Sequence, residues 1–417
     1  MPLKPTRGAY PTPNKYVLQF SVNLLGFHAP FIWLPIFNVN PKTLIMSNIS
    51  VQPVTTSKQK KDFFVLAEKI YSRNSYWIPP LRVSVDGLLG FKKSAFGLHN
   101  TVQPFIAYKN GEPVGRIAAI INNGHLKRYN DGVGFFGFFE CINDLDVSKA
   151  LFDTARDWLK SNGLFKMRGP CNPSLNYELG LLIDGFNSSP MFMMTYNLPY
   201  YEKLFTKYKF EKVQDLYAFW GDFSMLQDVR AKYLGISDAI QERLNVTIRP
   251  MDRQHFLEDV HTFLRLYNSS LTNTWGFVPL SDEEVAEEAD GLKHLLVPEL
   301  ALAAEIDGKV VGVNLCLPDY NPRIKKIHGR LFPFGWFHLL RNKSAIKAIR
   351  VISTNVEPEY QLSGLGLVLL NGLVPLALKW GVHEAEFSWV LESNHLSRGS
   401  LEKGGALRTK TYRIYEI

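Results

Sequence analysis

The 417-residue sequence is expected to fold as an α/β (α+β) protein made of two similar halves, and three features support this. Its length exceeds one average domain and suffices for two medium-sized cores. The pattern Ala-x-x-(Asn/Asp)-Gly-x-x-Val-Gly occurs twice, from Ala107 to Gly115 and again from Ala304 to Gly312. Each copy lies inside a strand-turn-strand signal, with helix-periodic residues before it and a strand, a helix and another strand after it. That order implies sheet layered with helices.

Taken along the chain, residues 1–45 stand apart. Tyr16 to Asn40 carries no charged side chain, and Phe31 to Phe37 is largely apolar. A signal anchor is one reading. Gln19, Asn23, His28, Pro30 and Pro35 interrupt the run, and Met46-Ser47-Asn48 reads as a start, so a disordered or artefactual leader is the other. In the first half, a helix is expected near Lys60 to Ser72 and a hairpin over Pro104 to Ile121, turning at Asn110-Gly111. A strand in Gly134 to Cys141, a helix from Val147 to Ser161 and a strand from Leu164 to Gly169 follow. The halves are expected to meet near Asp228 to Asn245, giving domains 46–235 and 236–417.

In the second half, Phe256, Val260, Phe263, Leu264 and Tyr267 share a helical face, and Ser281 with Glu284 forms a capping-box signature. The hairpin spans Leu300 to Pro318, turning at Asp307-Gly308; Asn-Gly and Asp-Gly supply the positive φ a tight turn demands. Lys347 to Val356 reads as a buried strand, Leu365 to Trp380 as a helix bent near Pro375, and Glu384 to Leu391 as another strand.

Composition narrows the chemistry. With 28 Phe, 18 Tyr and 8 Trp, the chain can line a broad apolar pocket, and a net charge of +8 favours anionic partners. Cys141, Cys171 and Cys316 are far apart without His or Cys at ligand spacing, so neither a disulfide framework nor a metal site is expected. A reducing cytoplasm is the simplest home. Nucleic acid is not expected, because no recognised motif accompanies the charge.

The strand ending Ser353-Thr354-Asn355-Val356 runs through Glu357 to Tyr360 into Gln361-Leu362-Ser363-Gly364-Leu365-Gly366 and then a helix. A glycine-bearing turn at a helix N-terminus exposes backbone N–H groups to which phosphate oxygens can approach. Downstream stand Asn394, Ser397, Leu401, Glu402, Lys403, Gly405 and Ala406.

These two motifs resemble the GNAT superfamily of acyl-CoA N-acyltransferases. Its CoA loop is Gln/Arg-x-x-Gly-x-Gly/Ala, and its later motif Asn-x-x-Ala-x-x-x-Tyr-Glu-Lys-x-Gly-Phe matches 394–406 in register with Asn, Glu, Lys and Gly retained. The clearest resemblance covers Val297 to Ile417. As a whole, the chain resembles a bacterial group of tandem GNAT-like proteins that includes ceramide synthases.

The resemblance implies two tandem domains, each a mixed, mostly antiparallel sheet flanked by helices. It implies an acyl-CoA co-substrate, acetyl-CoA or longer, held by Asn355, Val356, Gln361, Leu362, Ser363, Gly364, Leu365, Gly366 and Asn394. The acceptor would be a primary amine, with a long-chain lipid amine one option and a small amine, amino acid or peptide another. Leu401 stands where many GNAT enzymes place the Tyr that protonates the leaving thiolate, so Ser397 and Tyr412 are the substitute acids. That departure also leaves open a silent CoA- or lipid-binding protein. Among Glu357, Glu359, Glu386 and Glu392, Glu392 is the first choice as base, because it ends the later strand where open sheets place ligands.

The first half lacks the loop, since Ile142-Asn143-Asp144-Leu145-Asp146 has no glycine and two carboxylates. It is expected to shape the acceptor pocket through Arg168 to Glu178 and Met191 to Tyr196. Finally, 321–350 carries basic residues around Leu331-Phe332-Pro333-Phe334-Gly335-Trp336-Phe337. Such a segment suits peripheral contact with a membrane's inner face, or a solvated loop whose aromatics pack inward.

Overall fold

A computed structural model describes residues 49–417 except Arg253, and omits the side chains of Phe223, Leu226 and Val229. The leader discussed above lies outside the described residues.

The first half supplies strands β1 (Ile49–Pro53), β2 (Thr101–Lys109), β3 (Glu112–Ile121), β4 (Val133–Cys141) and β5 (Lys166–Gly169). Short strands β6 (Cys171–Asn172), β7 (Glu178–Leu179) and β8 (Leu181–Asp184) follow, then β9 (Glu211–Asp222). Its helices are α1 (Ser57–Ile70), α2 (Arg82–Leu88), α3 (Ala95–His99), α4 (Asn123–Tyr129), α5 (Leu145–Ser161) and α6 (Tyr201–Lys207). A long helix, α7 (Phe223–Leu244), leads into β10 (Thr247–Pro250), α8 (Phe256–Ser270), α9 (Asp282–Leu295), β11 (Ala301–Ile306) and β12 (Lys309–Pro318). Then come α10 (Asn321–Lys326), α11 (Gly335–Leu340), β13 (Ala348–Val356), α12 (Leu365–Trp380), β14 (Glu384–Leu391), α13 (His395–Lys403) and β15 (Leu407–Glu416).

The repeat is visible in backbone detail. Asn110 and Gly111 have φ of 54° and 83°, and Asp307 and Gly308 have 49° and 74°. Both hairpins bulge at the same position, between Ala107 and Tyr108 and between Ala304 and Glu305. The glycine closing each pattern serves helix approach: a Cβ on Gly115 would stand 2.6 Å from Leu151 of α5, and one on Gly312 would stand 3.2 Å from Leu365 of α12.

The halves share one sheet, ordered β1-β2-β3-β4-β5-β15-β9-β14-β13-β12-β11-β10. Its parallel neighbours are β4 with β5 and β13 with β14. The last strand of each half crosses over: β9 lies against β14 of the second half, and β15 lies against β5 of the first. Tyr415 of β15 accordingly packs in the first half's aromatic core with Phe136, Phe152, Phe205 and Phe210. The expected junction at 235/236 falls inside α7.

α12 forms because Leu365, Val368, Leu369, Leu373, Val374 and Ala377 line one face and bury against β11, β12 and β13. Gly381, at φ 85°, ends it by donating to the carbonyls of Ala377 and Leu378. On the opposite face of the sheet, α8 and α9 close a second core around Val260, Phe263, Leu292 and Val313.

Candidate active site

β13 and β14 run in parallel and pair from Ala348 with Glu384 to Val351 with Phe387, where the ladder stops. Both strands continue, to Val356 and Leu391, so they part towards their carboxyl ends. β13 stays paired to β12 as far as Val356 with Gly312, whereas β14 shifts register against β9 between Phe387 and Val390. The result is a wedge opening at the loop that leads into α12.

That loop is built to present N–H groups. Gly364 is the N-cap of α12 at φ 90°, with no side chain to cap the helix. The N–H of Leu365 bonds to Ser363 Oγ at 3.3 Å, while those of Leu362, Gly364 and Gly366 have no hydrogen-bond partner among the described residues. A Cβ on Gly366 would find only Thr354 Cγ2, at 3.8 Å, so space stands over the first turn. Gln361 braces the loop by donating to the carbonyls of Ser270 and Val356 at 2.9 and 3.4 Å. Arg243 of α7 donates to the Ser363 carbonyl at 3.0 Å and sets an exposed cation at the rim. Uncapped amides, helix dipole and guanidinium together suit a phosphate.

At the wedge, Asn355 is buried; its Oδ1 accepts from Ser353 Oγ at 2.8 Å and Ser270 Oγ at 3.1 Å, and its Nδ2 has no partner among the described residues. An orphaned buried donor beside an open anion cradle fits a ligand rich in acceptors, as CoA is.

The first half offers the reverse. Its parallel pairs stop at Phe135 with Arg168, and the space beyond is filled by β6, whose Cys171 carbonyl would lie 1.7 Å from a Cβ on Gly137. Asn172 Oδ1 accepts from the Phe138 N–H at 2.6 Å. The N-terminus of α5 is capped by its own carboxylate, Asp144 accepting from Asp146 and Val147 and pairing with Lys109 at 2.7 Å. Here the backbone amides are spent and the local charge is negative.

Between the halves lies a polar interior. Arg350 of β13 donates to Ser388 Oγ and the Ser388 carbonyl at 2.9 Å, and to the Phe192 carbonyl at 3.0 Å. Ser388 in turn donates to Glu386 at 2.6 Å. Glu178 lies beside Arg350, and burial pushes its carboxyl up to about 7 although Arg350 works the other way. Glu288 of α9 sits with Tyr177 and Tyr267 and makes no hydrogen bond or ion pair with the described residues. Burial, and after it the charges of Glu287 and Glu284, push it up to about 7 as well. Both residues are half-buried, and their carboxyls lie in the polar interior between the halves. Asp319 is also raised to about 7 by burial, yet it accepts from the Phe192 and Asn321 backbone and serves as a brace. One turn along α8 from Tyr267, Ser270 reaches Asn355, which links this polar interior to the wedge.

Two solved structures share this architecture. A tandem GNAT protein from the clavulanic acid biosynthesis pathway matches with a TM-score of 0.51 at 11% identity, covering 88% of this chain and 98% of that one. A GCN5-related glucosamine N-acetyltransferase region of a fungal multi-domain GH3 β-N-acetylglucosaminidase matches at 0.52 and 12%, covering 89% of this chain and 38% of that longer chain. No family model matches the chain. At the sequence level, Protein YghO of Escherichia coli K12 is 35% identical over 398 residues, 93% of this chain and 98% of that protein. The bacterial ceramide synthase of Caulobacter vibrioides is 32% identical over 387 residues, 89% and 97% respectively. The chain belongs to the tandem GNAT family.

In this tandem GNAT protein, the sequence-derived CoA residues 361–366 meet Asn355 and Val356 at the mouth of the wedge, as the order of strand, loop and helix requires. Leu362 is 91% exposed, so its side chain packs against nothing and its backbone is what the loop offers. Asn394 is an exposed N-cap of α13, accepting from the Ser397 N–H at 3.0 Å. Ser397 itself is half-buried in the first turn of α13. Glu392 lies at the end of β14 as expected, but it is paired with Lys212 at 2.8 Å and takes a hydrogen bond from Tyr217 at 3.3 Å. Lys212 holds its carboxyl below the ordinary range. Tyr412 is wholly buried among Glu386, Arg350 and Glu178 with no partner for its hydroxyl among the described residues, and burial keeps that hydroxyl protonated.

Sequence reading missed Arg243, Arg350 and Glu288. For Glu288 a signal was present: it stands four residues from Glu284 and four from Leu292, on the buried face of α9. Arg350 and Arg243 act through contacts distant in sequence, which no local pattern reveals.

Proposed function

We propose that the chain transfers the acyl group of an acyl-CoA to a primary amine, and that the amine belongs to a long-chain, sphingoid-type lipid. The single observation carrying the reading is the uncapped start of α12 opening beside the parted β13 and β14. The relative named bacterial ceramide synthase supports the lipid acceptor.

In this reading, the N–H groups around Gly364 and Gly366 with Arg243 hold the pyrophosphate, and the wedge at Asn355 receives the pantetheine arm. The acceptor enters the polar interior beside Glu178, Tyr267 and Glu288. Glu288 takes a proton from the ammonium; a carboxyl titrating near 7 is partly ionised at neutral pH and so can act as base. The neutral nitrogen bonds to the thioester carbonyl carbon, the carbon–sulfur bond breaks, and the thiolate leaves; the second proton that the nitrogen sheds replaces the one the acid gives to the thiolate, so the products are the amide and the free thiol. Tyr412, whose hydroxyl has no partner among the described residues, is assigned in this reading as the acid where many GNAT enzymes use the residue replaced here by Leu401, and its burial opposes loss of that proton until the thiolate forms beside it. A covalent cysteine route gains no support, because burial raises the thiols of Cys141, Cys171 and Cys316 and leaves them protonated.

Acyl-CoA as co-substrate fits a cytoplasmic protein working at the inner face of a membrane, and the basic aromatic segment 321–350 supports that route of supply. The test is turnover. Purified protein with acyl-CoA and a long-chain amine should release free thiol and form the amide. Preference for a short polar amine rejects the lipid acceptor, and CoA binding without thiol release for any amine shows a silent binding protein.

A further inference from the structure

Residues 321–350 contain eight Lys and Arg and no Asp or Glu, and the chain's whole excess of Lys and Arg over Asp and Glu is also eight. The net charge is therefore the charge of this one segment, while the rest of the chain is balanced. Arg350 turns inward, but Lys326, Arg330 and Arg341 are exposed.

The segment is held firmly. Arg323 donates to the carbonyls of Leu339 and Asn342 at 2.9 and 2.7 Å, and Trp336 N–H bonds to Leu331 O at 2.9 Å. Gly335 lets the chain close so tightly that a Cβ would lie 2.0 Å from the Arg330 carbonyl. Ile324 and Leu339 are buried in the core that α8 and α9 also build. With the scaffold anchored from below, four aromatics point away from it: Phe332 is 77% exposed, Phe334 78%, Trp336 49% and Phe337 53%. A stapled segment that turns its leucines inward and its aromatics outward leaves a large apolar surface in water, which marks an interaction site.

We propose that residues 330–341 are a membrane-docking platform for an anionic bilayer. Phe332, Phe334, Trp336 and Phe337 enter the interfacial layer, and Lys326, Arg330 and Arg341 lie among acidic headgroups. The pairing of aromatic anchors with a positive rim, in which Arg330 lies 3.8 Å from Glu68 while Lys326 and Arg341 have no acidic partner among the described residues, is what selects a bilayer as occupant. No helix among the described residues is long and apolar enough to cross a membrane, and the contact proposed for this platform is a peripheral one. The inference deepens the lipid-acceptor reading, and binding is measured without turnover, so either can fail alone.

The experiment is co-sedimentation of the full chain with phosphatidylglycerol-containing vesicles and with purely phosphatidylcholine vesicles, at low and high salt. The unaltered protein should partition at least tenfold better onto the acidic vesicles at low salt. Phe334→Ser with Trp336→Ser should reduce that partition tenfold or more, and Arg330→Gln with Arg341→Gln should remove its salt dependence, with melting temperatures unchanged. Acylation of a soluble short-chain amine by the serine variant should stay within twofold if the chain is a transferase. Equal binding to both vesicle types overturns the proposal, as does unaltered binding by the serine variant. Concentration-dependent dimers in sedimentation velocity that the serine variant abolishes would make a second copy the occupant and overturn it too.

Discussion

The Cβ that Gly364 lacks would stand 2.5 Å from Cδ1 of Ile240. Helix α7 thus lies directly over the loop that opens α12, and Arg243, one turn on, grips the same loop at Ser363. Gly364→Ala has two costs, the clash with Ile240 and an alanine at φ 90°. Together they should lower stability by about 1–3 kcal/mol and weaken CoA binding at least tenfold. Adding Ile240→Ala should recover the part due to the clash. Thermal melts and CoA titration calorimetry read both; unchanged CoA affinity in the single variant removes this loop from the site.

Gly366 is the cleaner probe, since a side chain there meets open space. Gly366→Ala should fold as well as the parent, within about 0.5 kcal/mol. Gly366→Glu should fold too, yet lose CoA affinity by about a hundredfold or more, because a carboxylate enters a cradle for anions. If both variants bind CoA alike, charge at this loop is irrelevant and the pyrophosphate sits elsewhere.

Glu288→Gln removes the proposed base and should lower kcat by about 10²–10⁴-fold while changing CoA affinity little. The parent's rate should climb with pH through about 7 as the carboxyl ionises, and the variant should lose that limb. Stability carries its own sign. Folding raises the pKa, so between the unfolded value and about 7 the native state binds more protons and stability falls as pH rises. Glu288→Gln should therefore gain on the parent at pH 8 relative to pH 5, by about 1–3 kcal/mol. A pH-independent difference in denaturant midpoints would show that this carboxyl is not buried as described.

Glu392→Gln should behave oppositely. Its partner Lys212 is on the surface, so losing the pair should cost about 0–1 kcal/mol and leave turnover within about threefold. Loss of activity on the scale expected for Glu288→Gln would restore Glu392 as the base.

Much of the fold and of the candidate site was legible because the signals are local. The turn residues Asn110-Gly111 and Asp307-Gly308, the capping box at Ser281 and Glu284, and the glycines of 361–366 each act through neighbours a few positions away. The candidate base was not legible in that way. Position alone makes Glu392 attractive, and only its contact with Lys212, 180 residues earlier, shows a carboxylate already neutralised.

The sequence by itself determined the repeat, the helix that follows each hairpin, and which half has glycines rather than carboxylates ahead of that helix. These follow from backbone preferences and charges that a short stretch of chain carries with it. Tertiary structure alone decided that β9 and β15 cross between halves, that β6 fills the first wedge while the second stays open, and that the 332–337 aromatics face outward. Those outcomes depend on which surfaces compete for burial once distant segments meet, and that competition has no local signature.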